Sequence, residues 1–379
     1  MLREFGAGRN WRRALAGTAL WTAICAPLAL GQSVVIPYKT KPQKQAARAD
    51  GRTTPTPTRP QLVVVLVVDQ MRGDYVDKFQ TQWTGGLKRL VEVGAWFREA
   101  AYPYAATETC VGHSTISTGA FPATHGMVSN EWWDREQQKG VTCTSDPKVK
   151  NVGYGGASVK GGDSAARMLM PAFAEELKYQ SGGGTRVVTF SLKARAAITM
   201  AGHQGDAVTW FDPATGSWTT SSAYPVAAFV EEYAKAHPVS NDYGKTWTLL
   251  LSKSSYLYEE TAVGAVPSAG VGPAFPHTLR GKPDSSAADT AFYQQWQGSP
   301  YAETYLTQMA EDAVDKLGLG KGPGTDYLGV SFSSVDYVAH AFGPRSWEVQ
   351  DELARLDRDL AGFLRTSTKP WGAEIMWWR

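Results

Sequence analysis

Three short, mainly hydrophobic runs predict the strands of a central β-sheet. They cover residues 62–68, 186–192 and 327–334, and β-branched side chains are frequent in them. Runs without regular polar alternation are typical of strands that are buried on both faces, as in a parallel sheet covered by helices. We therefore expect an α/β fold in which a mostly parallel sheet is flanked by helices.

Hydrophobic positions at helical spacing occur between and after these runs. They predict helices over residues 86–93, from near 112, near 226–236, over 302–317 and, with an amphipathic pattern, over 347–365. Residues 205–320 have weaker periodicity and are rich in Trp, Tyr, Ser and Gly. We predict that they form a cap region inserted into a single domain of residues 61–379.

The first 60 residues have a different character. Residues 1–31 begin with several arginines, continue with an apolar run from Ala14 to Leu30 and end in small residues, which is the pattern of a cleaved signal peptide. A membrane anchor is the alternative, because an apolar run of about 17 residues is at the lower limit for a spanning helix. Residues 32–60 contain a Thr/Pro-rich run and predict a flexible leader. We expect a periplasmic or secreted protein, without stable membrane association after cleavage.

The charge and the cysteine content restrict the function. The 38 Lys and Arg residues nearly balance the 36 Asp and Glu residues, so no strong field attracts nucleic acid. With three cysteines, the chain has neither a disulfide scaffold nor a zinc ribbon, and any metal must be held by carboxylates, histidines and hydroxyls. Cys110 and Cys143 follow the signal peptide, and they form either one disulfide or two buried thiols.

A residue that can carry chemistry follows each predicted strand: Asp69, Lys193 and Asp336. In open α/β sheets, ligands bind at the carboxyl ends of the strands. These three side chains are therefore expected to converge at one edge of the sheet. Taken alone, Asp69 is interpreted equally well as the cap of the next helix.

Two further features suit metal and phosphate chemistry: the pair of Asp336 and His340, and the hydroxyl of Thr109. Asp336 and His340 are four residues apart, so one helical turn directs both side chains to the same side. Such a pair suits zinc, and the alternative is a solvated hydrogen-bonded pair. Thr109 lies where a loop enters a helix, and a helix N-terminus favours an anion beside it. The Thr109 hydroxyl can attack phosphorus when a metal lowers its pKa, or it acts only as an N-cap.

Lys193 and Arg195 are two residues apart on a predicted extended segment and therefore point the same way. Two cations on one side suit a dianionic phosphate, although such a pair is also common on a solvated edge. Two other motifs are set aside. Residues 318–324 lack the Ser or Thr of a phosphate-binding loop, and residues 112–116 lack the last glycine of a serine-hydrolase elbow.

The segment from Thr107 to Trp132, TETCVGHSTISTGAFPATHGMVSNEW, resembles the alkaline phosphatase superfamily. The resemblance is greatest to the threonine-nucleophile bacterial alkaline phosphatases, which are relatives of the type I phosphodiesterases and nucleotide pyrophosphatases. The strand that ends at Asp69, the motif SLKAR at 191–195 and the motif DYVAHAFGP at 336–344 extend the similarity to residues 61–365. This resemblance implies a three-layer, alkaline-phosphatase-like core.

The resemblance also implies an active site with two zinc ions and a phosphothreonine intermediate. Thr109 matches the nucleophile of the family and would bind one zinc ion together with Asp69. Asp336 and His340 match the ligands of the other zinc ion. In the family, the two metals bridge the substrate phosphate.

Asn130, Lys193 and Arg195 match the residues that hold the non-bridging phosphate oxygens. The Lys and Arg pair is typical of the monoesterases, since a diester carries one negative charge fewer. The resemblance therefore implies an exported alkaline phosphatase that hydrolyses small phosphate monoesters, and we expect a monomer. A phosphodiesterase of the same superfamily and an inactive relative that at most binds phosphate are the alternatives.

Two parts of the family pattern are missing. The family has a further Asp-His pair after the helix at 347–365 and a histidine nearer the C-terminus, and this sequence has neither. Each of them would complete one of the zinc sites. We interpret His113 and His125 as structural, because neither has the context of a family ligand. The chain is therefore expected to be truncated at its C-terminus.

Overall fold

The computed structural model describes residues 59–268 and 270–368. The predicted signal peptide and nearly all of the predicted leader lie outside these residues. Within them, no helix combines the length and the hydrophobicity that are needed to cross a membrane.

Six strands form a central sheet and four form two small sheets within the described residues. The strands are β1 (Leu62–Val68), β2 (Glu131–Asp134), β3 (Lys139–Thr142), β4 (Asn151–Gly153), β5 (Val187–Ser191), β6 (Ala207–Asp212), β7 (Ser217–Ser221), β8 (Thr246–Trp247), β9 (His277–Thr278) and β10 (Asp326–Phe332). The central sheet has the order β1–β10–β5–β6–β7–β4, and β2–β3 and β8–β9 form the small sheets. Strands β1, β10, β5 and β6 are parallel, whereas β7 and β4 pair antiparallel with their neighbours.

Helices cover both faces of the central sheet. They are α1 (Tyr75–Lys78), α2 (Gly86–Val93), α3 (Thr109–Thr118), α4 (Pro122–His125), α5 (Phe173–Gln180), α6 (Ala194–Ala201), α7 (Ala228–Ala236), α8 (Thr290–Gln297), α9 (Pro300–Lys316), α10 (Ser334–Phe342) and α11 (Trp347–Thr368). One hydrophobic core includes α2, α9, α10 and α11, and the other includes α3, α5 and α6. The predicted α/β fold with three layers is therefore confirmed.

Strand β1 shows how the sequence produces these layers. Successive side chains of a strand point to opposite faces. Leu62, Val64, Leu66 and Val68 accordingly pack against the first core, whereas Val63 and Val65 pack against the second. Among the strands that the structure describes, β1 pairs only with β10 and lies at the edge of the sheet, and all seven of its residues are half-buried.

Two predictions need correction. Lys193 and Arg195 do not share an extended segment, because Lys193 is the extended N-cap residue of α6 and Arg195 lies in the first turn of that helix. The predicted cap region begins too early, because β6 and β7 are strands of the central sheet. Helix α9 belongs to the helical layer with α2, α10 and α11, so only the residues between Ser221 and Pro300 remain for the predicted cap. Strands β1, β5 and β10 agree with their predicted ranges within two residues at each end.

A disulfide joins Cys110 and Cys143, which decides between the two states that the sequence left open. Cys110 is in the first turn of α3, and Cys143 follows β3. Both residues are buried. The backbone N–H of Cys143 also donates a hydrogen bond to the carbonyl of Asn130 at 2.9 Å. The bridge thus connects the start of α3 to the segment that carries Asn130.

Candidate active site

The carboxyl ends of three neighbouring parallel strands bring the predicted site residues together. Asp69 follows β1, Lys193 comes shortly after β5, and Asp336 lies in the first turn of α10 after β10. The Lys193 ammonium nitrogen is 2.7 Å from Oδ2 of Asp69 and also donates a hydrogen bond to Oδ2 of Asp336. Asp69, Lys193 and Asp336 therefore form one cluster, and we call the site around it the pocket. Because Asp69 bonds Lys193 in this cluster, it is not merely a helix cap.

Lys193 is a buried cation, with 4% of its surface exposed. Burial of an ammonium group is unfavourable unless opposite charge and hydrogen bonds compensate for the lost water. The carboxylates of Asp69 and Asp336 supply both. The ring of Tyr337, with its centre 4.9 Å from the Lys193 nitrogen, adds a cation–π contact. Lys193 thus connects the ends of three strands.

The carboxyl of Asp69 has a pKa below its usual value, although burial alone raises it. Positive charge on His113 would lower this pKa, and the positive charge of Lys193 and the hydrogen bonds from Lys193 and Thr109 lower it as well. Burial lowers the pKa of His113, so its ring is neutral at neutral pH. We therefore assign the main effect on Asp69 to Lys193, which holds the carboxyl in its charged form.

Thr109 is the first residue of α3, and its hydroxyl lies in the same pocket. Oγ1 of Thr109 donates a hydrogen bond to Oδ2 of Asp69 at 3.1 Å and is 3.4 Å from the Lys193 nitrogen. The N-cap position of α3 is Glu108, so the interpretation of Thr109 as an ordinary N-cap is wrong. The helix also begins earlier than the predicted start near Gly112, whose N–H bonds the carbonyl of Glu108.

Asn130 is held against the first turn of α3. Its Oδ1 accepts a hydrogen bond from the backbone N–H of Cys110 at 2.9 Å, which satisfies one of the free N–H groups at the start of the helix. The Glu108 carboxylate accepts hydrogen bonds from the backbone of Asn130 and from the Ser129 hydroxyl. The Asn130 amide nitrogen has no hydrogen-bond partner in the described part of the chain, so it is available to a ligand.

Arg195, in the first turn of α6, has an unsatisfied donor. Its Nε atom is buried and has no hydrogen-bond partner among residues 59–268 and 270–368. An unpaired buried donor costs about 1–3 kcal/mol, and a charged one costs more. The charge of Arg195 acts on His113 and on Tyr337, which places the guanidinium beside the pocket. An anion bound there would provide the missing acceptor.

His340 extends the pocket towards the surface. Its Nε2 is 3.4 Å from Oδ1 of Asp336, and 70% of its side chain is exposed. Lys193 contacts the other carboxylate oxygen of Asp336. One turn of α10 thus directs both side chains the same way, as their spacing predicts. This geometry is compatible with two side chains that bind a metal. It is equally compatible with a hydrogen-bonded pair that is exposed to water.

The donor types suit zinc, but the donors are few. Carboxylate, hydroxyl and imidazole form two pairs here, Asp69 with Thr109 and Asp336 with His340. A catalytic zinc ion usually has about three protein ligands. No group of three or more His, Cys, Asp or Glu side chains in the described residues is arranged to hold a metal. Each pair therefore supplies fewer ligands than a catalytic zinc ion usually has.

His113 and His125 are bonded within the protein, as predicted for structural residues. Nδ1 of His113 is 2.8 Å from the carbonyl of Thr109, and its Nε2 is 2.7 Å from the hydroxyl of Ser331. Nε2 of His125 is 3.1 Å from the hydroxyl of Thr115. His113 thereby ties the first turn of α3 to β10.

Two residues of the pocket, Glu108 and Tyr337, were not predicted from the sequence. Glu108 orients the segment that carries Asn130, and its position inside the motif TET was the available signal. Tyr337 covers the ammonium group of Lys193, and its place directly after Asp336 was a weak signal. Neither contact is visible from local pattern, because each joins segments that are far apart in the chain.

The sheet order and the two helical layers define the class of α/β protein with an alkaline-phosphatase-like core. The chain belongs to the type I phosphodiesterase / nucleotide pyrophosphatase family, to which residues 63–370 match. Over 91% of its length it is 32% identical to alkaline phosphatase PhoV from Synechococcus elongatus. Over 83% of its length it is 36% identical to alkaline phosphatase PafA from Elizabethkingia meningoseptica. The chain spans 62% of the length of PhoV and 58% of the length of PafA.

Solved structures agree with the assignment of the fold. The crystal structure of wild-type PafA matches with a TM-score of 0.75 and 33% identity, over 84% of this chain and 61% of that chain. A PafA variant in which one threonine, one asparagine, one lysine and one arginine are substituted matches with a TM-score of 0.76 and 33% identity. That match covers 83% of this chain and 61% of the variant.

Proposed function

We propose that this chain carries the nucleophile and the phosphate-binding residues of an exported alkaline phosphatase that hydrolyses small phosphate monoesters. The observation that carries the proposal is the position of the Thr109 hydroxyl between Asp69 and the buried ammonium group of Lys193. The unpaired guanidinium nitrogen of Arg195 adds a second cation beside the pocket. Similarity to the alkaline phosphatases PhoV and PafA supports the same function.

Thr109 is the nucleophile in this proposal. A bond forms between its Oγ1 and phosphorus while the bond from phosphorus to the ester oxygen breaks, and the proton lost by the hydroxyl ends on that oxygen to give the leaving alcohol. Water then attacks the phosphothreonine and releases phosphate, which restores the hydroxyl. Asp69 accepts the hydrogen bond of that hydroxyl and orients it. Lys193, 3.4 Å from the same oxygen, stabilises negative charge that develops there.

The phosphate group would be held by three side chains with free or positively charged donors: Asn130, Lys193 and Arg195. Two cations favour the dianion of a monoester over the monoanion of a diester. The solved PafA variant has substitutions at the same residue types, a threonine, an asparagine, a lysine and an arginine, which supports these roles.

We propose zinc as the metal of this site, bound by Asp69 and Thr109 at one ion and by Asp336 and His340 at the other. Each ion would need further ligands from outside the described residues. When bound, zinc would supply positive charge that lowers the pKa of the threonine hydroxyl.

Labelling of the protein tests the nucleophile. We expect acid-quenched protein, mixed with a phosphate monoester that carries radioactive phosphorus, to hold label on Thr109. Thr109→Ala should abolish the label, Thr109→Ser should retain part of it, and Thr118→Ala, in the last turn of the same helix, should leave it unchanged. Undiminished label in Thr109→Ala would place the nucleophile elsewhere.

Metal analysis of the same samples separates the enzyme from an inactive relative. Two tightly held zinc ions per chain support the enzyme. A chain with neither zinc nor label would be a relative that at most binds phosphate.

A phosphodiesterase is the second candidate, because the family to which the chain belongs includes type I phosphodiesterases. Turnover of p-nitrophenyl phosphate and of bis(p-nitrophenyl) phosphate distinguishes the two. A clear preference for the diester would replace the first proposal.

Export and the monomeric state are part of the proposal as well. The mature N-terminus of the protein recovered from a periplasmic or culture fraction tests the signal peptide. The elution volume in size-exclusion chromatography tests the monomer.

A further inference from the structure

Gln70, the residue after Asp69, has an unusual backbone conformation. Its φ of 60° lies in the left-handed region, where residues other than glycine are uncommon because Cβ comes too close to the carbonyl oxygen. The backbone N–H of Met71 donates a hydrogen bond to the carbonyl of Val68 at 3.2 Å, so Gln70 is the third residue of a four-residue turn after β1. Glycine is the usual residue where a turn requires positive φ. A glutamine there points to a role of its side chain.

The side-chain amide of Gln70 reaches Asp336, in the first turn of α10. With its nitrogen towards Asp336, the amide donates hydrogen bonds to Oδ1 at 3.1 Å and to the backbone carbonyl at 3.2 Å. The reverse orientation would place the amide oxygen against these two acceptors. Gln70 is exposed, so both bonds form on the side of the pocket that faces water.

Each oxygen of the Asp336 carboxylate has its own hydrogen-bond donor. Lys193 donates to Oδ2, and Gln70 donates to Oδ1. Nε2 of His340 is 3.4 Å from the same Oδ1. Because a carboxylate that is bonded at both oxygens cannot rotate freely, the direction of its remaining lone pairs is fixed. Since Gln70 follows Asp69 directly, its contact links the two carboxylates of the pocket by a second route besides the lysine.

We propose that Gln70 is a positioning residue of the active site, whose left-handed backbone and side-chain amide together fix the Asp336 carboxylate relative to Asp69. The consequence for zinc rests on the proposed function, in which these two carboxylates bind different ions. Hydrogen bonds to a ligating carboxylate orient it, and their loss typically lowers metal affinity about 10- to 100-fold. The backbone conformation directs the amide towards Asp336, which explains why this turn has a glutamine where glycine would be less strained.

Zinc binding to the whole protein, measured by competition with a fluorescent chelator, tests this role. We expect Gln70→Gly, which suits the left-handed backbone and removes the amide, to weaken the binding of one zinc ion about tenfold or more. Gln138→Gly is the matched control, because Gln138 is also exposed and left-handed, with a φ of 51°, but lies in the turn between β2 and β3. It should leave zinc binding unchanged. Were Gln70 merely structural, Gln70→Gly would shift the unfolding midpoint and leave the zinc affinity unchanged, and that result would overturn the proposal.

A double-mutant cycle in EDTA tests the contact itself without metal. Urea unfolding is measured for the unmodified protein, Gln70→Gly, Asp336→Ala and the double variant, with Asp336→Asn in place of Asp336→Ala if that variant does not fold. Glycine changes the backbone of the turn equally in both backgrounds, so the cycle isolates the bond to the Asp336 carboxylate. We expect Gln70→Gly to be more destabilising in the unmodified protein than in the Asp336 variant. Equal shifts of the midpoint in the two backgrounds would overturn the proposal.

The two measurements separate the positioning role from the proposed function. Zinc binding that Gln70→Gly leaves intact rejects the positioning role and keeps the zinc site. An unmodified chain that binds no zinc rejects the zinc assignment, and the cycle then decides on Gln70 alone. Weaker zinc binding together with coupling in the cycle supports both.

Discussion

The Lys193 ammonium nitrogen lies 2.7 Å from Oδ2 of Asp69, although 124 residues separate the two positions. The same nitrogen bonds the carboxylate of Asp336, which follows a third strand. Lys193 is therefore both a structural link between strand ends and the main positive charge of the pocket. Its removal should affect stability and phosphate binding together.

We expect Lys193→Met to destabilise the metal-free protein by about 3–5 kcal/mol, because it leaves two buried carboxylates without their counter-charge. Urea unfolding measures this loss, and the affinity for inorganic phosphate should fall in parallel. Lys245→Met is the matched control, since that lysine is half-exposed in its ion pair with Asp242 and should contribute little. An unfolding free energy that Lys193→Met leaves unchanged would refute the structural link.

In contrast to Lys193→Met, Arg195→Ala should impair phosphate-ester hydrolysis without destabilising the protein. Since Nε of Arg195 is a buried donor without a protein acceptor in the described structure, its removal should not lower the unfolding free energy and should raise it if anything changes. The loss of charge-assisted hydrogen bonds to phosphate should lower kcat/KM for p-nitrophenyl phosphate about 10- to 100-fold. The loss for methyl p-nitrophenyl phosphate, a diester, should be smaller. Equal losses on both substrates would remove the basis for assigning Arg195 to monoester recognition.

The disulfide between Cys110 and Cys143 should stabilise the protein and also the site, because it holds the first turn of α3 beside Asn130. We expect the double variant Cys110→Ala/Cys143→Ala to lose about 2–5 kcal/mol of unfolding free energy. Chemical denaturation with and without a reductant measures this. The reductant should lower the midpoint of the unmodified protein and not that of the double variant. Equal midpoints of the two oxidised proteins would contradict the prediction.

Glu303 in α9 should make stability depend on pH. It is fully buried, and it accepts a hydrogen bond from the backbone N–H of Ser334 at the start of α10 at 2.6 Å. Burial raises the pKa of this carboxyl from 4.5 to about 8, and negative charge on Asp359 and Asp69 adds to the rise. The folded state therefore keeps a proton that the unfolded chain releases. The unfolding free energy should fall as pH rises from 4.5 to about 8, and this contribution should level off above.

Glu303→Gln tests that dependence, because the amide retains an acceptor for Ser334 and does not titrate. We expect a smaller difference in unfolding free energy between pH 5 and pH 8 in this variant than in the unmodified protein. Glu92→Gln, at an exposed position on α2, serves as the control. An identical pH dependence in Glu303→Gln and in the unmodified protein would show that Glu303 does not bind the extra proton.

The strands around the site were predictable because each is a hydrophobic run that ends at a polar residue. Asp69 and Asp336 were found in this way, and the parallel sheet places them at one edge. Arg195 was placed correctly in the chain but on the wrong element, since a spacing of two residues fits both a strand and the start of a helix. The boundary between β5 and α6 depends on tertiary packing, which a local pattern does not contain.

The sequence predicted which residues form the pocket better than it predicted the contacts between them. The ammonium group of Lys193 bridges residues from two other strands, and that geometry follows from the register of β1, β10 and β5. The motif around Thr109 identified the hydroxyl but did not show that Glu108 takes the N-cap position. Likewise, nothing in the local pattern showed that Gln70 bonds Asp336, a contact that the pairing of β1 with β10 makes possible.

Strand β1 has a consequence for handling the protein in solution. Its seven residues, LVVVLVV, are all apolar and half-buried, and among the described strands they pair on one side only. An exposed hydrophobic edge of this kind is a template on which other extended chains can align their backbones. It also carries no charged residue that would discourage such pairing. A second chain that paired along this edge would contact the strand that leads into Asp69, so such pairing would disturb the active site directly.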